Sequence, residues 1–259
     1  MKSKKYFFFD IDGTLTDKDT GIVVPSAREA LSRLQDNGHF VALCTGRAQY
    51  KARLILEDLG LTNMVCCGGG GIVLNNQIIK NEPLDIKKVR TLINECENSN
   101  IGYLITRDDS EKAYHKDNLF VEQSGGRYEP THYVFDKNLD INATEPIYKA
   151  YVSVKPEDEH LLPSLNDIGH LRYVPQYLII QHDKKDKGII ETMELLHADI
   201  KDVVVFGDDT NDLIMFDERW TSIAMGNATD EKLKEKANYV TDTSVNDGVK
   251  KACEHFGWI

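Results

Sequence analysis

The sequence predicts an α/β protein: a core built on a parallel sheet, interrupted by an inserted α+β segment. Three observations carry that expectation. Near both ends of the 259-residue chain, short wholly apolar runs alternate with stretches whose apolar residues recur at helical spacing. In the middle this rhythm lapses into shorter runs separated by polar sequence. Three of the apolar runs near the ends stop abruptly at acids, threonine or glycine.

The first run is Tyr6-Phe7-Phe8-Phe9, four aromatics in succession, which reads as a strand buried on both faces. It stops at Asp10-Ile11-Asp12-Gly13-Thr14. In extended backbone, positions i and i+2 point the same way, so Asp10 and Asp12 are expected to lean together over the end of the sheet. Two adjacent carboxylates repel, and a bound cation or a shared proton offsets that repulsion. By itself the pair reads equally well as an acidic turn. Ser26 and Glu29 have capping-box spacing, Ala27, Ala30, Leu31 and Leu34 follow at helical spacing, and Asn37-Gly38 ends that helix. Phe40 to Cys44 is a second buried strand, running into Thr45-Gly46-Arg47. A second helix carries Ala48, Ala52, Ile55, Leu56 and Leu59, with Gly60 as its stop. Strand–helix–strand–helix order of this kind implies parallel pairing with right-handed crossovers.

Met64 to Cys67 is a third strand, followed by four glycines, Gly68 to Gly71. No Lys-Ser/Thr follows them, so this is not a nucleotide P-loop, and a flexible turn is the plainer reading. Ile72-Val73-Leu74 and Gln77-Ile78-Ile79 flank Asn75-Asn76 as a hairpin. From about residue 83 the character changes. A helix carries Ile86, Val89, Leu92, Ile93 and Cys96, and β-like runs follow at 102–106, 149–154 and 171–180. Between them, 107–147 is polar. Pro163 weakens a helix around 157–167. This block is expected to be a separate α+β domain spanning 83–184, with a core made of 1–82 and 185–259. The core rhythm resumes with a helix opening at Asp186-Lys187-Gly188, then the strand Val203 to Phe206, which meets Gly207-Asp208-Asp209-Thr210-Asn211-Asp212. A last strand, 222–225, and two short helices near 229–237 and 245–255 complete the chain.

The net charge of −11 argues against broad nucleic-acid or anionic-membrane binding. No apolar run reaches the roughly 18 residues that span a bilayer. Five cysteines without a C-x-x-C pair suggest reduced thiols and a cytoplasmic location. The eight scattered histidines lack metal-ligand spacing.

Ligands of open parallel sheets bind beyond the carboxyl ends of the strands, so Asp10/Asp12, Thr45-Gly46-Arg47 and Asp208 to Asp212 are expected to meet. Carboxylates from two strands make a hard oxygen site suited to Mg2+, and a threonine at a helix start suits a phosphate oxygen. This constellation resembles the haloacid dehalogenase superfamily, in particular its Cof-type phosphatases with an inserted type IIB cap. The motifs that carry the resemblance are D-x-D-G-T, Thr45-Gly46-Arg47, Lys187-Gly188 and G-D-D-T-N-D, and they occur in the family's order.

The resemblance implies a Rossmann-like core and a Mg2+-dependent phosphatase acting on small phosphorylated metabolites, sugar phosphates first. It implies Asp10 as nucleophile, forming an aspartyl phosphate, and Asp12 as general acid and base. Mg2+ would be held by the Asp10 carboxylate, the Asp12 carbonyl and the Asp208 carboxylate. The Ile11 amide, Thr45, Gly46, Lys187 and Asn211 would hold the phosphate, with Asp212 supporting the lysine or a metal-bound water. A monomer or weak homodimer is implied. Asp17 and Asp209 read as solvated loop acids, Lys184 and Lys185 as surface charge, and Asn227 as a turn residue. Arg47 reads either as a substrate contact or as a surface ion pair. Arg172, Tyr173, Tyr177, Gln181 and His182 are the cap candidates for substrate contact. One departure stands out: where the family commonly has Asn-Gly-Ala, this chain has Gly68 to Gly71. A phosphomutase using the same intermediate, or a non-catalytic phosphosugar-binding regulator, are the alternatives.

Overall fold

A computed structural model describes residues 3–259. The chain divides into two compact units, one formed by Met1–Asn81 with Lys184–Ile259 and the other by Glu82–Asp183.

The first unit begins with β1 (Tyr6–Phe9), α1 (Pro25–Asp36), β2 (Phe40–Cys44), α2 (Gln49–Asp58), β3 (Met64–Cys66), β4 (Gly71–Leu74) and β5 (Gln77–Asn81). Asn75 and Asn76 both have positive φ, as a two-residue hairpin turn requires. Helix α1 does not start on the expected capping box. Pro25 takes the first helical position, so Val24 is the N-cap and Ser26 lies inside the helix with its hydroxyl unpartnered.

In the second unit lie α3 (Ile86–Asn98), β6 (Tyr103–Thr106), β7 (Lys112–His115), α4 (Leu119–Ser124), β8 (His132–Phe135), β9 (Lys149–Val152), β10 (His170–Val174) and β11 (Tyr177–Ile180). They form a six-stranded sheet in the order β10-β11-β9-β6-β7-β8. Successive residues of β6 feed opposite faces: Tyr103 and Ile105 pack with Val89, Leu92, Ile93 and Cys96 of α3, whereas Leu104 packs with Phe120 of α4. The 171–180 run is two antiparallel strands rather than one, and the polar 107–147 stretch contains β7, α4 and β8. Two 3-10 turns, Pro156–Leu161 and Pro163–Asp167, replace a helix where Pro163 breaks it.

The first unit resumes with α5 (Lys185–Leu195), β12 (Val203–Gly207), β13 (Thr221–Ala224), α6 (Glu231–Lys236), β14 (Tyr239–Val240) and α7 (Gly248–His255). Its eight-stranded sheet runs β14-β13-β12-β1-β2-β3-β4-β5. All pairings from β14 to β3 are parallel; β4 and β5 add antiparallel strands at one edge. The aromatic run of β1 shows why the sheet is covered twice. Phe7 and Phe9 join the layer of α1, α2 and α7, while Phe8 joins the layer of α5 and α6. All three are fully buried, each worth roughly 1.5–3 kcal/mol of apolar burial. Strand β14 is an edge strand of two residues that the sequence pattern does not announce. Among the described residues no helix is long and apolar enough to cross a membrane.

Candidate active site

Strands β12, β1 and β2 are neighbours in the sheet, so Asp208, Asp10 and Thr45 leave adjacent carboxyl ends. The Asp10 amide still bonds Phe206 O (3.0 Å) and the Thr45 amide bonds Val65 O (2.9 Å), which carries the sheet's order one residue into each loop. Beyond Asp10 the extended geometry fails. Ile11 O accepts the amides of Thr14, Leu15 and Thr16, and Gly13 takes φ +83°. The two acids therefore do not lean together: the Asp10 side chain is 8% exposed and that of Asp12 is 56% exposed.

Gly13 also fixes the closeness of the loops. A Cβ there would lie 2.3 Å from Asp208 Oδ2. Asp208 is fully buried. Its Oδ1 accepts the Thr14 hydroxyl (3.1 Å), and its Oδ2 accepts Lys18 Nζ (3.1 Å) and Asn227 Nδ2 (3.4 Å). Asn227 is more than a turn residue. Its amide nitrogen also bonds Gly13 O (2.9 Å), and its oxygen accepts the Ser244 amide (2.8 Å), so it ties three loops together. Burial first, then the charge of Asp212, pushes the Asp208 carboxyl up to about 6; Lys18 and Thr14 act against that rise.

The lysine expectation is overturned. Lys187 is exposed, and the buried lysine is Lys185, 2% exposed. Its Nζ lies 2.9 Å from Asp10 Oδ1 and 2.5 Å from Asp212 Oδ1. Helix α5 starts at Lys185, two residues earlier than expected, and two residues are about 200° of helix turn. Lys187 therefore lies almost opposite Lys185. Desolvation alone would lower the Lys185 pKa, but Asp10 and Asp212 outweigh it and hold it well above its ordinary value. Asp10 is also pushed up, by its own burial and then by Asp212, with Lys185 opposing.

Asp212 supports this lysine through a fully occupied carboxylate. Its Oδ1 takes Lys185, and its Oδ2 accepts the amides of Asp208 (3.0 Å) and Asp209 (3.2 Å). The start of α5 is set by the glycine loop. Lys184 N donates to Gly68 O (2.9 Å), and a Cβ on Gly69 (φ +97°) would sit 2.1 Å from Lys184 O. A Cβ on Gly188 would meet Val65 at 2.5 Å. The run that departs from the family pattern is thus the surface on which the lysine-bearing helix is seated.

Thr45 is buried, and its hydroxyl accepts the Arg47 amide (3.1 Å). Arg47 grips Asp12 with two bonds, Nε to Oδ2 (3.0 Å) and Nη2 to Oδ1 (2.5 Å). Ile11 is buried, and Asn211 is half-buried in the 3-10 turn Thr210–Met215. Asp17 accepts the Asp19 amide and the Thr20 hydroxyl as a local turn acid. Asp209 bonds the Thr210 amide and lies 3.7 Å from Lys18. In the second unit, Arg172 pairs with Glu159 and donates to Pro175 O, Tyr177 and Gln181 are buried, Tyr173 is exposed, and His182 bonds Glu82 O.

The donor set fits a divalent cation. Asp10, Asp208 and Asp212 each offer a carboxylate oxygen, all within 4.8 Å of one another and all buried. Two oxygens across one Mg2+ lie about 4.2 Å apart, from bonds of about 2.0–2.1 Å. With Asp212 spent on Lys185 and two amides, Asp10 and Asp208 remain as the carboxylates able to ligate.

The chain is similar to known proteins along nearly its whole length. The family model for haloacid dehalogenase-like hydrolases matches residues 7–253. YkrA of Bacillus subtilis is 31% identical over 255 residues, 98% of either chain. The 5-amino-6-(5-phospho-D-ribitylamino)uracil phosphatase YitU of the same organism is 27% identical, over 99% of either chain. A solved subclass IIB sugar phosphatase of the superfamily, BT4131, superposes with a TM-score of 0.79 at 24% identity, covering 99% of this chain and all of the other.

Proposed function

The chain belongs to the haloacid dehalogenase-like hydrolases and is a phosphatase; from that membership and the site we propose that it hydrolyses small phosphorylated metabolites, sugar phosphates first, by Mg2+-dependent transfer through an aspartyl phosphate on Asp10. One observation carries the reading: Asp10 is buried among Asp208 and Asp212 with a lysine on one oxygen, while Asp12, two residues on, remains exposed.

In this reading an Asp10 carboxylate oxygen attacks phosphorus as the bond to the leaving oxygen breaks. Lys185 holds Asp10 Oδ1 and so fixes which way the carboxylate faces. Asp12 gives its proton to the leaving oxygen, then takes one from the water that attacks the aspartyl phosphate, which restores Asp10. Arg47 grips both Asp12 oxygens, so one of them must be freed before Asp12 takes up the proton it gives to the leaving oxygen. The Ile11 amide, Thr45, Gly46 and Asn211 are assigned to the phosphoryl oxygens. The Asp10 and Asp208 carboxylates and the Asp12 carbonyl would hold Mg2+, which offsets repulsion between carboxylate and phosphate. Residues 82–183 are assigned as the cap that selects the leaving group; YitU, which acts on a phosphoribityl compound by its name, supports a hydroxylated phosphate ester.

A phosphate-release screen over phosphorylated metabolites, with Mg2+ and with chelator, tests the proposal. Sugar phosphates should lead, chelator should stop release, and Asp10→Asn should abolish turnover while substrate still binds. Unchanged release from the Asp10→Asn variant would remove the nucleophile assignment.

A further inference from the structure

We propose that Lys18 is a tethered competitor for the cation at Asp208 and that it sets the metal affinity of the site. The inference rests on the reading of Asp208 as a metal ligand. Asp208 Oδ2 is the oxygen that carries Lys18 Nζ at 3.1 Å, and the Asp208 side chain is wholly buried whereas that of Lys18 is 44% exposed. The buried partner cannot withdraw, but the lysine can.

The loop around Lys18 favours such a role. Its base is fixed: Asp17 N bonds Ile22 O (2.9 Å), Gly21 N bonds Asp17 O (2.8 Å), and Thr16 pairs with Val23. Only the flexible four-carbon arm reaches into the site. A second carboxylate, Asp209 Oδ2, lies 3.7 Å from the same ammonium and is 36% exposed. It gives Lys18 a place to go when a divalent ion takes Asp208. The two cations cannot share Asp208 without strong repulsion in a site so shielded from water. Every metal-binding event must therefore displace the ammonium, and the affinity is weaker than Asp10 and Asp208 alone would give. Lys185 is not in the same position: it is enclosed by Asp10 and Asp212, bonds only Asp10 among the carboxylates assigned to the metal, and has no exposed route out.

Titration calorimetry with MgCl2 alone, on the full chain, tests this. Lys18→Met should tighten the Mg2+ dissociation constant at least tenfold, and Lys18→Arg, which keeps the charge, should stay within about threefold of wild type. Melting gives a second readout. In chelator Lys18→Met should melt below wild type, because Asp208 has lost its counter-charge; in saturating Mg2+ it should melt at or above wild type. A merely structural lysine would lower both. Lys18→Gln serves the same purpose if the Met variant does not fold. An unchanged or weaker dissociation constant in the uncharged variants, with Mg2+ binding intact in wild type and lost in Asp208→Asn, overturns the role of Lys18 alone. Absence of Mg2+ binding to wild type overturns this inference together with the metal reading.

Discussion

Replacing Lys185 by methionine keeps an unbranched side chain one atom shorter and removes the charge that separates Asp10 from Asp212. Both carboxylates are buried, and Lys185 bridges them at 2.9 and 2.5 Å. Removing one partner from a buried ion pair costs about 3–5 kcal/mol. At about 2–4 °C per kcal/mol for a chain of this size, the melting temperature in chelator should fall by roughly 6–20 °C. Adding Asp212→Asn should recover part of that loss, since it removes the repulsion. Catalysis should suffer separately. On the proposed mechanism Lys185 fixes which way Asp10 faces, and misplacing the nucleophile lowers kcat by about 100-fold or more. Lys187→Met is the control: the side chain is exposed, and the change should stay within about 0.5 kcal/mol and leave phosphate release within twofold. A thermal melt and a phosphate-release assay on these variants decide the matter. A Lys187 variant that loses activity beside a Lys185 variant that keeps it would refute the assignment.

Three other substitutions probe the neighbouring parts. Asp208 has its carboxyl raised from 3.8 to about 6, so the stability it contributes is full below pH 3.8 and is lost as pH rises through 6. In chelator, Asp208→Asn should therefore gain on wild type by about 2 kcal/mol between pH 4 and pH 7, and Mg2+ affinity of wild type should weaken as pH falls below 6. Gly69→Ala should cost several kcal/mol and reduce activity, because its Cβ meets Lys184 O at 2.1 Å with φ +97°; Gly21→Ala, with φ +69° and open space, should cost only about 1 kcal/mol. Arg47→Ala breaks a largely exposed pair, so stability should change by less than about 1 kcal/mol, while kcat/KM falls tenfold or more; unchanged kinetics would reduce the pair to surface charge.

Asp10 and Asp208 were legible because each follows a strand buried on both faces, which leaves little choice of register or of strand order. Lys185 was not. Three lysines lie within four residues, and which one points inward depends on the phase of α5, fixed by the seat that Gly68 and Gly69 provide. That seat is a long-range contact, and a flexible turn was the natural local reading of four glycines. Proline at the first helical position displaced the Ser26 cap in the same way, by a preference stronger than the side-chain signal. Strands β7 and β8 were hidden because their sequences, Lys-Ala-Tyr-His and His-Tyr-Val-Phe, lack clean alternation, and β8 is an edge with little to bury. The grip of Arg47 on Asp12 and the knot made by Asn227 depend on loop closure, which no local pattern encodes.

The seam between glycine loop and helix has a consequence for how this architecture can diversify. Residues that precede the insertion, Val65, Gly69 and Lys80, grip Lys184, Gly188 and Glu191, which follow it. The join is closed from within, so the ammonium keeps its station whatever is spliced between Asn81 and Lys184. On the proposed function, selectivity and chemistry would then rest on separate segments: residues 82–183 could change with the substrate while the proposed reactive centre keeps its place in the first unit.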